Sequence, residues 1–347
     1  MNRLVLLLGA AGLLLAAGCR TDDEVVCAPA AGPAALAEFS RRNMPAEQVF
    51  NLPDVGQLQT VRTAGGATLT IPANSLLVAS TGAVATGAAQ LRFREIYEVP
   101  DMILADLPTQ TRGVLNGPLP SAQPLQSGGE FQIQLWQGRR RLVSNNGPAT
   151  GPAQVPGRIV LTSIRPARAN QGVQARWWTQ PLLPPPTAPS VTDTAGWRSD
   201  GSVRVDTIPG VGGANATYRA GFLLDSLSWH NVDWLWPDSL NLPVAAVRVI
   251  VPGSADQGAS VYATRVYLFP ARNNVLLRVG LGAGLADWQL GNLPATLTYT
   301  AVVLQATPAG QLRFATQRFT LAPTGTTLTI TPTERSEADI VRLIRQL

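Results

Sequence analysis

Short runs of alternating apolar and polar residues, each cut off by Gly, Pro, Asn or Asp, recur along the chain. A period of two places successive side chains on opposite faces of an extended strand, so these runs predict β-structure. Residues 67–71 alternate and stop at Pro72, and 90–97 alternate again. Residues 130–136 do the same, entered from Gly128-Gly129 and left at Gly138, and 158–162 form a further candidate. One apolar and one polar face per strand predicts antiparallel sheets packed on one side. Beyond a proline-rich stretch the style repeats at 202–206, 218–224, 244–251, 261–269, 275–279, 297–305, 312–321 and 326–331. Helical patterns are scarce. The exceptions are a short helix expected around 34–42 and an amphipathic one at the end. There Ser336 and Asp339 form a capping-box-like start, and Ile340, Leu343, Ile344 and Leu347 recur at helical spacing.

This reading gives an all-β chain of two β-sandwich domains in tandem with a short C-terminal helix. At roughly 150 residues per domain, 347 residues accommodate two. An apolar fraction of 45% supports real cores. We expect the first sandwich over 49–180, a linker over 181–196, the second sandwich over 197–333 and the closing helix over 334–347. Pro181, Pro184, Pro185, Pro186 and Pro189 make the linker an extended spacer.

The N-terminus carries an address. Arg3 precedes an apolar run over 4–15, followed by Ala16-Ala17-Gly18-Cys19. That is the charged, apolar and small-residue order of a secretory signal, with a run too short to span a bilayer. Residues 15–19 resemble the bacterial lipoprotein signal. The resemblance implies removal of 1–18 and a lipid on Cys19, with 19–48 serving as a tether. Asp22-Asp23-Glu24 then resembles the acidic surface-export signal of Bacteroidetes lipoproteins, with Thr21 where that signal often has Lys or Gln. Location at the outer membrane follows, facing outward or, alternatively, the periplasm. Cys27 is left without an intrachain disulfide partner once Cys19 is acylated.

A second resemblance covers roughly 50–165. Gly65-Gly66, the stretch 67–76, Glu95-Ile96, Asp101-Met102-Ile103-Leu104 and Ser127-Gly128-Gly129-Glu130-Phe131 look like a group of uncharacterised Bacteroidetes surface lipoproteins. Their first domain is similar to the ZU5 β-sandwich. Leu227-Ser228-Trp229-His230-Asn231-Val232-Asp233 matches more loosely. The resemblance implies fold and location and no activity. The His-Phe-Ser cleavage sequence of some ZU5 domains is absent here.

Chemistry-bearing residues are few. The net charge of +5 comes entirely from scattered arginine, and the dense group Arg139-Arg140-Arg141 reads as a solvated hairpin tip. Nucleic acid is therefore not an expected partner. His230 is the only histidine, no Gly-x-Ser-x-Gly elbow exists, and zinc ligands are lacking, so we expect no catalytic residues, no metal and no cofactor. His230 reads as a packed histidine, and Asp200-Gly201 reads as a hairpin turn rather than a calcium loop. Glu95, Glu98, Asp101 and Asp106 are the acids whose convergence would make a glycosidase pair; their strand and loop positions argue against it. Trp229, Trp234 and Trp236 cluster in a loop-like segment and are candidates for stacking on sugar faces, against the plainer role of core packing. Four Asp-(Ser/Thr)-apolar triplets make Thr194, Thr207, Ser226 and Ser239 candidate O-glycosylation acceptors. The expected function is a non-catalytic envelope lipoprotein that holds or caps a protein partner; the alternative is a glycan-binding surface module.

Overall fold

The computed structural model describes residues 32–111, 123–145, 158–164, 175–181, 196–208, 217–224, 228–236, 242–253, 263–281 and 287–347. Within them the chain is β-rich and sandwich-like, with three short helices.

Two sheets enclose the first core. One has the order β1 (Gln48–Leu52), β5 (Ala89–Ile96), β6 (Leu125–Gln137), β13 (Ser228–Leu235), β9 (Arg176–Pro181) and β10 (Arg198–Ser199). β7 (Arg140–Ser144) also pairs with β6, and β4 (Leu76–Val78) pairs with β7. The facing sheet runs β11 (Val205–Ile208), β12 (Thr217–Phe222), β8 (Ile159–Ile164), β3 (Thr68–Ile71) and β2 (Gln59–Arg62). Leu69, Ile71, Phe93, Phe131 and Ile133 fill the space between them and are fully buried. β3 and β5 as far as Arg94 show why the alternation was readable, because their odd positions are buried while even ones are half-buried or exposed.

Two further sheets enclose a second core around Val247, Val249, Leu268 and Val303. They run β17 (Gly280–Leu281), β18 (Asp287–Pro294), β14 (Val244–Ile250), β21 (Thr326–Thr329), and β16 (Leu277–Arg278), β15 (Thr264–Pro270), β19 (Thr298–Ala306), β20 (Leu312–Thr320), β22 (Thr333–Glu334). β14 and β21 run parallel.

The halves are fused. The β6–β13 sheet turns its second face toward the second face of the β15–β19 sheet, and a third core fills the seam. Ile96, Leu125, Trp178 and Trp229 come from one side, Tyr267, Phe269, Val302 and Leu304 from the other. β15 and β19 are consequently buried on both faces, and their apolar runs lose the alternation that one-sided strands keep. Three helices close the seam: α1 (Gly32–Asn43), α2 (Val99–Ala105) and α3 (Glu337–Ile344).

Several expectations change. Strands after the proline-rich stretch do not open a new unit: β12 pairs with β8, and β13 lies between β6 and β9. The sheets change over between β13 and β14, not at 181–196. Proline interrupts a strand locally, yet backbone pairing across the sheet decides membership. Residues 182–195 lie outside the described residues. The expected tether over 19–48 is corrected from residue 32 on, because α1 buries Leu36 and Phe39 in the seam, and Arg265 donates to the Leu36 carbonyl at 3.2 Å and to Ser40 Oγ at 2.9 Å; residues 19–31 lie outside the described residues. Asp101, expected in a loop, lies in α2, whose first turn holds Pro100, and Asp106 ends that helix with a left-handed φ of 56°. Asp200 does form a turn, its carboxylate accepting from the Ser202 N–H at 2.9 Å, but that turn carries the chain from one sheet to the other instead of closing a hairpin. α3 starts as expected, with Ser336 Oγ accepting from the Asp339 N–H at 3.1 Å.

Candidate functional site

β6 and β13 bring together two stretches far apart in sequence, Ser127-Gly128-Gly129-Glu130 and Asn231-Val232-Asp233. Asn231 lies opposite Glu130 and Asp233 opposite Ser127, so three steps on β6 match two on β13. The extra residue is a β-bulge at the glycines. Gly128 permits it because a Cβ there would sit 2.7 Å from the Val232 carbonyl oxygen, and Gly129 adopts φ +135°. Residues directly opposite share a face, so Ser127, Glu130, Asn231 and Asp233 all point into the seam.

There they form a buried polar network. Asn231 Nδ2 donates to Asp233 Oδ2 at 2.5 Å, Ser127 Oγ donates to Asn231 Oδ1 at 3.1 Å, and the Gly129 N–H donates to Ser127 Oγ at 3.1 Å. From the second half, Asn274 donates through Nδ2 to the carbonyls of Tyr97 (2.8 Å) and Ser127 (2.9 Å) and accepts from the Ser127 N–H at 2.8 Å. Glu130, Asp233 and Asn274 are fully buried. Among the described residues both Glu130 carboxylate oxygens, Asp233 Oδ1 and Asn274 Oδ1 lack a hydrogen-bond partner. Burial pushes both carboxyls well above their ordinary range, and the nearby Asp233 charge raises Glu130 further. Among the described residues no arginine contributes to either shift.

A second acid of the seam is treated in the opposite way. Asp106 accepts from Tyr267 Oη at 2.5 Å, and the guanidinium groups of Arg265 and Arg278 lie 3.0 and 3.5 Å from its oxygens. Burial alone would raise this carboxyl; the two arginine charges and the Tyr267 bond outweigh it and hold Asp106 below the usual carboxylate value.

The acids singled out in sequence do not converge. Glu95 accepts from Gln48 Nε2 (2.8 Å), the Gly65 N–H (2.6 Å), Thr63 Oγ1 (2.8 Å) and Tyr97 Oη (3.0 Å), and so fastens the 63–66 turn. Asp101 lies 4.0 Å from Arg345, Glu98 precedes α2, and Asp106 serves the seam. Among the described residues no three His, Cys, Asp or Glu side chains gather as a metal-binding group.

The tryptophan expectation is corrected. Trp229, Trp234 and Trp236 are 5%, 1% and 1% exposed, so protein already covers the faces a sugar would need. Trp229 and Trp234 lie not in a loop but on β13, an interior strand with partners on both sides, and Trp236 follows its end. His230 is packed as expected, its ring 5.3 Å from Trp177 and 5.1 Å from Phe222. Arg139 and Arg140 are exposed at the β6–β7 hairpin, also as expected. Thr207 is exposed on the edge strand β11; Thr194, Ser226, Ser239, Cys19 and Cys27 lie outside the described residues.

Sequence reasoning missed Glu130 and Asp233 as a pair. Glu130 sits on the polar face of an alternating run, which reads as solvent-facing, and nothing local reveals that a second sheet covers that face. No protein-family model, no curated protein and no solved structure matches this chain.

Proposed function

We propose that this chain is a lipid-anchored envelope protein with a structural or interaction role, held through Cys19 to an outer membrane and facing outward. The lipoprotein-like stretch 15–19, the acidic run 22–24 and the resemblance to Bacteroidetes surface lipoproteins with a ZU5-like domain support this address. The observation that carries the role is the docking of α1. Only residues 20–31 separate Cys19 from the first helix of the fused body, a contour of about 40 Å when fully extended. Arg42 further ties α1 to Glu337 of α3 at 2.6 Å. An anchor joined through twelve residues to a fused body suits a protein that presents a surface within a bounded distance of a membrane. The non-catalytic reading is favoured because the acids inside the fold are walled in rather than set in a cleft. The glycan-binding alternative loses its stacking residues to burial. Thr207 keeps the exposure an O-glycan acceptor requires.

Cell fractionation tests the proposal. The native chain should sediment with outer membranes and be cut by protease added to intact cells, and Cys19→Ala should leave the membrane fraction. A native chain recovered in the soluble fraction would overturn the anchoring.

A further inference from the structure

Two acidic positions share one seam, half-buried Asp106 and the fully buried pair Glu130–Asp233, and among the described residues counter-charge reaches only the first. Asp106 receives two arginines and a tyrosine. Glu130 and Asp233 receive no charge partner among the described residues, although the sequence holds 27 arginines. Two carboxylates in a dry interior require an offsetting positive charge or must stay protonated. A third group argues for the former. The amide oxygen of Asn274 is neutral, fully buried and without a partner, and it belongs to the opposite half. Its side chain and backbone clasp Ser127, the residue directly opposite Asp233. Protonation needs one proton between the acids and a second to serve this amide oxygen, whereas one cation seated among them would serve all three groups and balance both charges.

We propose that Glu130, Asp233 and Asn274 hold one hard divalent cation of the calcium type at the seam between the two halves. All the open donors are oxygens, which excludes the nitrogen and sulfur preferences of zinc and copper. Two carboxylates balance a double positive charge. Calcium accepts irregular oxygen shells completed by water, whereas magnesium demands a near-ideal octahedron. The bulge at Gly128-Gly129 turns Ser127, which a regular ladder would point the other way, onto the face shared by Glu130 and Asp233, where Asn274 grips its backbone. The ion would join β6 and β13 of one half to the loop before β16 of the other.

The test uses the full detergent-solubilised protein, stripped with chelator and then exposed to calcium, magnesium or terbium. Trp178 donates through its indole N–H to the Asp233 backbone oxygen at 3.2 Å, close enough to sensitise emission from terbium at this site. The expected results are one calcium per chain, a thermal midpoint several degrees higher with calcium than with chelator, and terbium emission excited through tryptophan. Glu130→Gln and Asp233→Asn keep side-chain shape, and each should lower affinity at least about tenfold and abolish the emission while the far-ultraviolet dichroism stays native. Wild-type protein that binds no calcium, or a calcium response that persists in both variants, overturns the proposal. A midpoint that depends on pH and ignores every cation also overturns it, and assigns the pair a shared proton.

Discussion

Replacing Asp106 by Asn removes one charge from the seam and little else. The amide keeps an oxygen for Tyr267 Oη and fits the same left-handed helix end, a conformation that Asn tolerates. Arg265, whose side chain is 10% exposed, then keeps its charge in the interior without a counter-ion, and Arg278 loses its contact at 3.5 Å. Breaking a buried ion pair from one side costs about 3–5 kcal/mol, because the remaining charge stays desolvated. With a urea slope of about 4 kcal/mol per M for a chain of this size, the unfolding midpoint should fall by about 1 M at pH 7. The effect has a defined pH window. Asp106 titrates below its ordinary value of 3.8 in the folded chain, so its contribution is complete above that value and disappears as pH falls through the lower folded value. Wild type and variant should therefore converge in strong acid. Glu130 and Asp233 work with the opposite sign when no cation is bound: their raised carboxyls favour the fold at low pH and cost stability as pH rises past the ordinary carboxylate range. Parallel urea titrations of wild type and Asp106→Asn at pH 7 and pH 3 measure this. A midpoint shift under about 0.2 M at pH 7, or an equal shift at both pH values, would refute the charge argument.

Other perturbations probe the remaining claims. Phe39→Ala deletes a fully buried ring of α1 and should cost about 3–5 kcal/mol, with tryptic cleavage at Arg41 or Arg42 becoming the earliest cut; unchanged proteolysis would mean α1 is not docked. Gly129→Ala must place a methyl group 2.7 Å from Phe131 Cζ at a φ of +135°, so the variant should unfold at least 2–3 °C lower, for a cost of about 1 kcal/mol or more. Trp234→Ala should destabilise by about 3–5 kcal/mol and leave any retention on immobilised glycans proportional to the folded fraction; specific loss of glycan binding in a fully folded variant would restore the stacking role.

The β-class was legible because strands such as β3, β5 and β14 bury one face and wet the other, which writes a period of two into the sequence. β13 was not legible. Its Asn231 and Asp233 are turn-forming residues in isolation, and only the network inside the seam makes them acceptable in an interior strand. The boundary between halves failed for a related reason, since proline marks a local interruption while β9 and β13 pair across it. α1 was visible as a helix from its pattern, but docking depends on the apolar face of a sheet more than two hundred residues away. Glu130 and Asp233 lie about a hundred positions apart, and alternation reports that β6 has two faces without reporting that both are covered.

The central claim is that this body is fastened to a membrane through Cys19, and the mass of the N-terminal peptide from the native host tests it most directly. The account predicts a peptide beginning at Cys19 and carrying a diacylglycerol-sized addition. A peptide beginning at Met1, or at Arg20 without lipid, would contradict it.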